Sequence, residues 1–119
     1  MAKAPTPRRG DIWLVDFDPA VGAEIRKIRP AVVVSMDSVG RLPLRLVVPI
    51  TDWKPHYAAF PWFVELAACP TNGLIKHSGA DAFQTKSVSE ARFVRLIGAV
   101  TATELDEIAS AVALCVGAP

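Results

Sequence analysis

Arg29 opens the stretch Arg29-Pro30-Ala31-Val32-Val33-Val34, a cation set where a proline fixes the turn and an apolar strand begins. A guanidinium stays protonated at any working pH and can hold two phosphate oxygens at once, beside the bond where charge builds. The plainer alternative is a surface arginine paired with an acid. Thr51 follows Leu46-Val47-Val48-Pro49-Ile50, so its hydroxyl is either held at a strand end to donate to the same phosphate or belongs to a simple turn. Glu24, in the loop before Arg29, offers a carboxylate to orient the guanidinium or to take a hydroxyl proton. His56 and His77 are weighed beside them, because two imidazoles can act as acid and base near neutrality, although two histidines are ordinary for 119 residues.

Arg26, Lys27, Lys54, Lys76 and Lys86 offer phosphate contacts that set affinity without reading sequence, or are only solvated. Gln84 carries both a donor and an acceptor, enough to read a base edge. His56 belongs to a loop rich in aromatics, where Trp53, Tyr57 and Phe60 either stack exposed bases or cover a barrel end or a dimer contact. Cys69 and Cys115 stand 46 residues apart and form none of the close pairs that metal or redox motifs need, which fits a reducing cytosol.

The elements that must position these groups belong to one domain, since 119 residues support a single core. A composition of 51% hydrophobic and 21% charged residues excludes disorder and collagen-like repeats. The net charge of +1 argues for no polyanion by itself, yet residues 19 to 100 hold ten bases against six acids. Residues 1 to 8 read as a flexible basic tail, with Lys3 and Arg8, while residues 101 to 119 carry Glu104, Asp106 and Glu107 and no base. Asp16 breaks the only apolar run near the start, and no window approaches the ~18 apolar residues of a membrane span, so a cytoplasmic protein without a membrane partner is expected.

Ten prolines, several spaced by six to thirteen residues between positions 19 and 70, forbid long helices there. Strands are predicted over residues 11–17, 31–36, 44–50, 62–66, 79–87 and 93–100, with Pro49 marking a sheet edge or bulge. A short helical turn is predicted at residues 89–92. Thr101 and Glu104 form a capping box, after which Leu105, Ile108, Ala109, Val112, Cys115 and Val116 make one apolar helical stripe, stopped by Gly117. The pattern is mainly β with a C-terminal α-helix, a small closed or half-closed barrel with the helix packed on it.

In order along nearly the whole chain, the sequence resembles the MazF/PemK family of toxin endoribonucleases. The matching pieces are Arg9-Gly10-Asp11, Asp16 to Pro19, Gly22 and Glu24, Arg29-Pro30 with the apolar run behind it, Val48-Pro49-Ile50-Thr51, the segment opening at Gln84, and Thr101 to Val116. The resemblance implies an SH3-like barrel, a homodimer, and sequence-selective cleavage of single-stranded messenger RNA with no metal or other cofactor. The 2′-hydroxyl would attack its own phosphorus, giving a 2′,3′-cyclic phosphate or 3′-phosphate and a 5′-hydroxyl, and growth would arrest. By the same resemblance Arg29, Thr51 and Glu24 are catalytic, and Gln84 takes the family's position for a base-contacting side chain. A cognate antitoxin, its disordered acidic segment lying over the same basic groove, is the implied protein partner. Two rivals remain open: a non-enzymatic gyrase poison resembling CcdB, whose aromatic C-terminal end is absent from Val116-Gly117-Ala118-Pro119, and a barrel that binds RNA without cutting it.

Overall fold

The computed structural model describes residues 6–40 and 42–119. Their strands are β1 (Asp11–Asp16), β2 (Ile28–Val33), β3 (Leu44–Asp52), β4 (Phe63–Leu66), β5 (Ser78–Asp81), β6 (Lys86–Ser89) and β7 (Phe93–Ala99), followed by helix α1 (Ala102–Cys115). The strands pair in the order β4-β5-β3-β2-β1-β7, with β6 added to β3. Every pairing is antiparallel. The class is the mainly β fold with one terminal helix that the pattern predicts.

The central strands are buried on both faces, which is why they read as unbroken apolar runs rather than alternating ones. Ile12, Val32, Val48 and Ile50 join Leu66, Leu74 and Ile108 in one core, and α1 covers it. Trp13, Val15, Ala31, Val33 and Val47 form a second core on the other face, closed by Phe17, Val88, Ile25 and Phe93. Val47 and Val48 thus face opposite cores one residue apart, as the period of two requires.

Among the described residues no ladder joins β4 to β7, so the hydrogen-bonded sheet stays open. The connection after β4 seals the gap. Asn72 is buried, accepting from Cys69 N at 3.1 Å and Leu74 N at 3.0 Å and donating to Ala67 O at 2.8 Å, which folds the connection on itself. The folded loop then lies on β7, where Ala99 N donates to Thr71 O at 3.1 Å. This approach needs Gly98, because a Cβ there would stand 2.4 Å from the Asn72 carbonyl carbon and 2.6 Å from Thr71 O.

Several boundaries differ from the sequence reading. β2 begins at Ile28 and not at Ala31, because Arg29 and Pro30 pair with Val15 and Leu14 of β1, a tertiary partner that local propensity does not announce. Thr51 lies inside β3, paired with Gly79, instead of just after a strand. Pro49 is no sheet edge: it is buried in a strand paired along both sides, at the point where β3 leaves β6 at Val47 and takes up β5 at Ile50, so no ladder bond is asked of it on that flank. The predicted strand 79–87 is two strands separated by a 3-10 turn, Ala82–Gln84, and residues 90–92 form the short turn expected there. In α1 both capping-box bonds are present, and Gly117 at φ +70° ends the helix with Ala118 N bonded to Ala113 O. Ala111 takes a core position, whereas Val116 is 74% exposed beyond the helix end. Residues 1–5 of the expected tail lie outside the described residues; Pro7 is buried, and its carbonyl accepts from Arg45 Nε at 3.1 Å. No described helix is long and apolar enough to cross a membrane.

Gly98→Ala is expected to lower unfolding stability by about 1–3 kcal/mol through this forced contact, read as a lower urea midpoint at unchanged slope.

Candidate active site

A cleft of about 500 Å³ opens at one end of the sheet and is lined by residues of β1, β2, β3 and β7 and by the segment Gly73–Lys76. Two strands carry the predicted catalytic pair into it. The register Val33↔Val47, Ala31↔Pro49, continued by two residues, sets Arg29 level with Thr51. Leu14, Pro30 and Ile50 belong by alternation to the face of Ile12, Val32 and Val48, and Arg29 and Thr51 to the opposite face. The cleft therefore lies at a rim where both faces are reached.

Lys27, Arg29, Lys76 and Arg95 line the cleft together with one acid, Asp52. Lys76 Nζ stands 3.5 Å from Asp52 Oδ2, with both side chains exposed. Among the described residues no carboxylate lies within 4 Å of Lys27, Arg29 or Arg95, so the cleft is a cationic site rather than a neutral ion-pair network. Arg29 is half-buried, and its Nε donates to Arg26 O at 2.8 Å, leaving the terminal guanidinium nitrogens for an anion. Lys27 holds a left-handed backbone, φ 68°, stabilised by its N–H on Asp18 Oδ1 at 2.9 Å and by Phe17 N on its carbonyl at 3.0 Å. For a non-glycine residue that conformation costs about 1–3 kcal/mol, a strain typical of functional loops.

The other predicted residues lie apart from this group. Glu24 is exposed and turned onto its own loop, its Oε1 accepting from Val21 N at 2.7 Å. Arg26 donates to Gly22 O at 2.8 Å. Gln84, expected to meet a base, instead accepts from Ile25 N at 3.2 Å and donates to Ala23 O at 3.1 Å. Lys86, on β6, pairs with Val47 of β3, and Lys54 precedes the 3-10 turn Pro55–Ala59.

Trp53, His56, Tyr57, Phe60, Trp62 and Phe63 pack on one another, Tyr57 stacked on Phe63 with centroids 4.0 Å apart and His56 edge-on to Tyr57 at 4.7 Å. Trp53 and Phe63 lie over β5, where a Cβ on Gly79 would meet them at 2.9 and 3.2 Å. These rings lie over the sheet at β5, following Thr51 in the chain. His77 stacks on Trp53 at 5.8 Å and meets Glu65 at 2.5 Å, and His56 packs edge-on against Tyr57.

Sequence reasoning missed Arg95 and Asp52 as cleft residues. Arg95 had a signal, since alternation along Phe93-Val94-Arg95-Leu96-Ile97 sets it with Ile97, a neighbour in the cleft wall. Asp52 had none, lying beyond the predicted strand 44–50, whereas β3 runs on to it.

Comparison with known proteins shows the family and the fold. The family model of PemK-like, MazF-like toxins of type II toxin-antitoxin systems matches residues 8–116. The chain belongs to this family. Endoribonuclease MazF9 of Mycobacterium tuberculosis is 41% identical over 113 residues, covering 90% of this chain and 93% of the relative. The endoribonuclease toxin ChpB of Escherichia coli is 48% identical over 63 residues, 50% of this chain and 54% of ChpB. Among solved structures, MazF of Deinococcus radiodurans superposes with a TM-score of 0.81 at 23% identity, over 96% of this chain and 99% of that one. An endoribonuclease in complex with its cognate antitoxin from a mycobacterial species gives 0.73 at 20% identity, over 95% and 97% of the two chains. These structures share the MazF fold, and the activity class of this MazF-like toxin is endoribonuclease.

The 3-10 turn that carries Gln84 is capped by Asp81, whose Oδ1 accepts from Phe83 N at 3.1 Å. Burial pushes the Asp81 carboxyl above its ordinary range, partly offset by bonds from the Phe83 and Gln84 backbone. A raised carboxylate pKa disfavours the folded state once the pH exceeds the unfolded value. Asp81→Asn, which keeps an acceptor for the cap, should therefore raise the thermal midpoint at pH 7, and the difference should vanish near pH 3, where the carboxyl is protonated in both states.

Proposed function

We propose that this MazF-like toxin cuts single-stranded messenger RNA at a short sequence through attack of a 2′-hydroxyl on its own phosphorus, without a metal. The observation that carries the reading is that Arg29 and Thr51, which the β2–β3 register brings level when continued two residues past its last pair, line one cleft richer in cations than in acids. Its substrate is a phosphodiester anion. Cleavage builds charge on the phosphate oxygens, and a guanidinium anchored through Nε, with its outer nitrogens free, meets that charge without reorganising. The Thr51 hydroxyl donates to the same phosphate and holds the scissile bond in line. Lys27, Lys76 and Arg95 contact neighbouring phosphates and set the register of the strand.

Glu24 acts on the loop in this reading: its carboxylate closes the turn at Val21 that leads to Arg26 and Arg29. Products are a 2′,3′-cyclic phosphate, which opens to a 3′-phosphate, and a 5′-hydroxyl. A cytoplasmic homodimer would present the cleft twice. A cognate antitoxin, the partner seen with the mycobacterial relative, would cover it with carboxylates that compete with RNA for Lys27, Arg29 and Arg95. Uncovered, the toxin would arrest growth by destroying messages.

The test is incubation of the purified protein with a long unstructured RNA in EDTA, with end mapping. Cuts at one short sequence, bearing 5′-hydroxyl ends, are expected; intact RNA with folded protein would defeat the reading. Arg29→Ala should lower kcat about 10²–10³-fold, the usual cost of losing one preorganised donor to developing charge, with RNA affinity changed only severalfold. Thr51→Val should lower kcat by a smaller factor, and Thr51→Ser should recover much of it.

A further inference from the structure

Gln84 and Arg29 lie on different elements, yet one run of hydrogen bonds joins them. The Gln84 amide holds the β1–β2 loop by two bonds, Ile25 N to Oε1 at 3.2 Å and Nε2 to Ala23 O at 3.1 Å. The next residue, Arg26, gives its carbonyl to Arg29 Nε at 2.8 Å. Arg26 also closes the loop on itself through Gly22 O at 2.8 Å, and Ile25 packs into the second core. Gln84 stands on a firm base, because its 3-10 turn is capped by Asp81 and packed against α1. Most of the residues from Val21 to Ile28 are exposed, so little burial holds this loop besides Ile25. One donor and one acceptor of the amide are thus committed to the loop backbone.

We propose that Gln84 is a positioning residue for RNA cleavage, fixing the loop at Ala23 and Ile25 so that the Arg26 carbonyl aims the Arg29 guanidinium at the scissile phosphate. The proposal rests on the cleavage reading above. It separates Gln84 from the reading of bases: its loss slows the chemical step and leaves the cut sequence alone. A displacement of ~1 Å at the reacting groups can cost about a hundredfold in rate, and without Gln84 the backbone at Ala23 and Ile25 loses both of its bonds to the turn after β5.

The experiment compares wild type, Gln84→Ala, Gln84→Glu, Arg29→Ala and the Gln84→Ala/Arg29→Ala double variant on an unstructured RNA containing the mapped cut site. Exchange of the Ile25 amide with solvent deuterium is followed in each. Gln84→Ala should lower kcat about ten- to a hundredfold, with KM within about threefold, the same cut sequence and faster Ile25 exchange. Gln84→Glu keeps an acceptor for Ile25 N but sets a carboxylate oxygen against Ala23 O in place of the donor, so it too should slow cleavage with the same cut sequence; it carries the test should the alanine variant not fold. In the Arg29→Ala background removal of Gln84 should slow cleavage little further, because the two act in series. An unchanged kcat, or a raised KM and altered cut sequence with unchanged Ile25 exchange, would overturn the proposal and, in the second case, make Gln84 a base reader. RNA left whole by the wild type would instead defeat the cleavage reading, a result distinct from an active wild type with an equally active Gln84→Ala.

Discussion

The architecture depends on one strand having to serve three others. Along one side β3 pairs with β2, and along the other it pairs first with β6 and then with β5. That exchange of partners splits the sheet into two lobes with a shared spine, and it is why four consecutive residues, Val47 to Ile50, are buried. A strand so placed cannot slip by one residue without exchanging its two cores. The end of β3 is consequently a rigid place, and Thr51 sits there, in one pairing row with Gly79 and Glu65.

Much of this was legible in the sequence, for reasons that differ by element. The capping box and the glycine stop of α1 are local chemistry, complete within a few residues. The apolar runs of β2 and β3 announce burial on two faces, and all strand segments except residues 79–87 were separable by prolines and turn residues. What the sequence hid was partnership. Arg29 and Pro30 are poor strand formers by themselves and became strand only against Leu14 and Val15. Gln84 looked free to meet RNA because its loop partners lie about sixty residues away, beyond any local pattern.

The site shows the same division. Arg29 and Thr51 could be selected by type and by family resemblance, and the strand register accounts for their being level. Arg95 and Lys76 line the cleft from β7 and from the segment after Asn72, elements remote in sequence from Arg29 and Thr51. Glu24 was readable as a carboxylate near Arg29 in sequence, but its turn at Val21 satisfies it locally. Nearness along a loop is a weak guide to nearness in space when a backbone donor lies three residues away.

The seal formed by Asn72 and Gly98 bears on when the toxin becomes dangerous during its own synthesis. The cleft takes one wall from β2 and another from β7, and the loop behind it has nothing to lie on until Gly98 and Ala99 are in place. A nascent chain that has not yet delivered its last strand to the fold therefore has cations but no cleft.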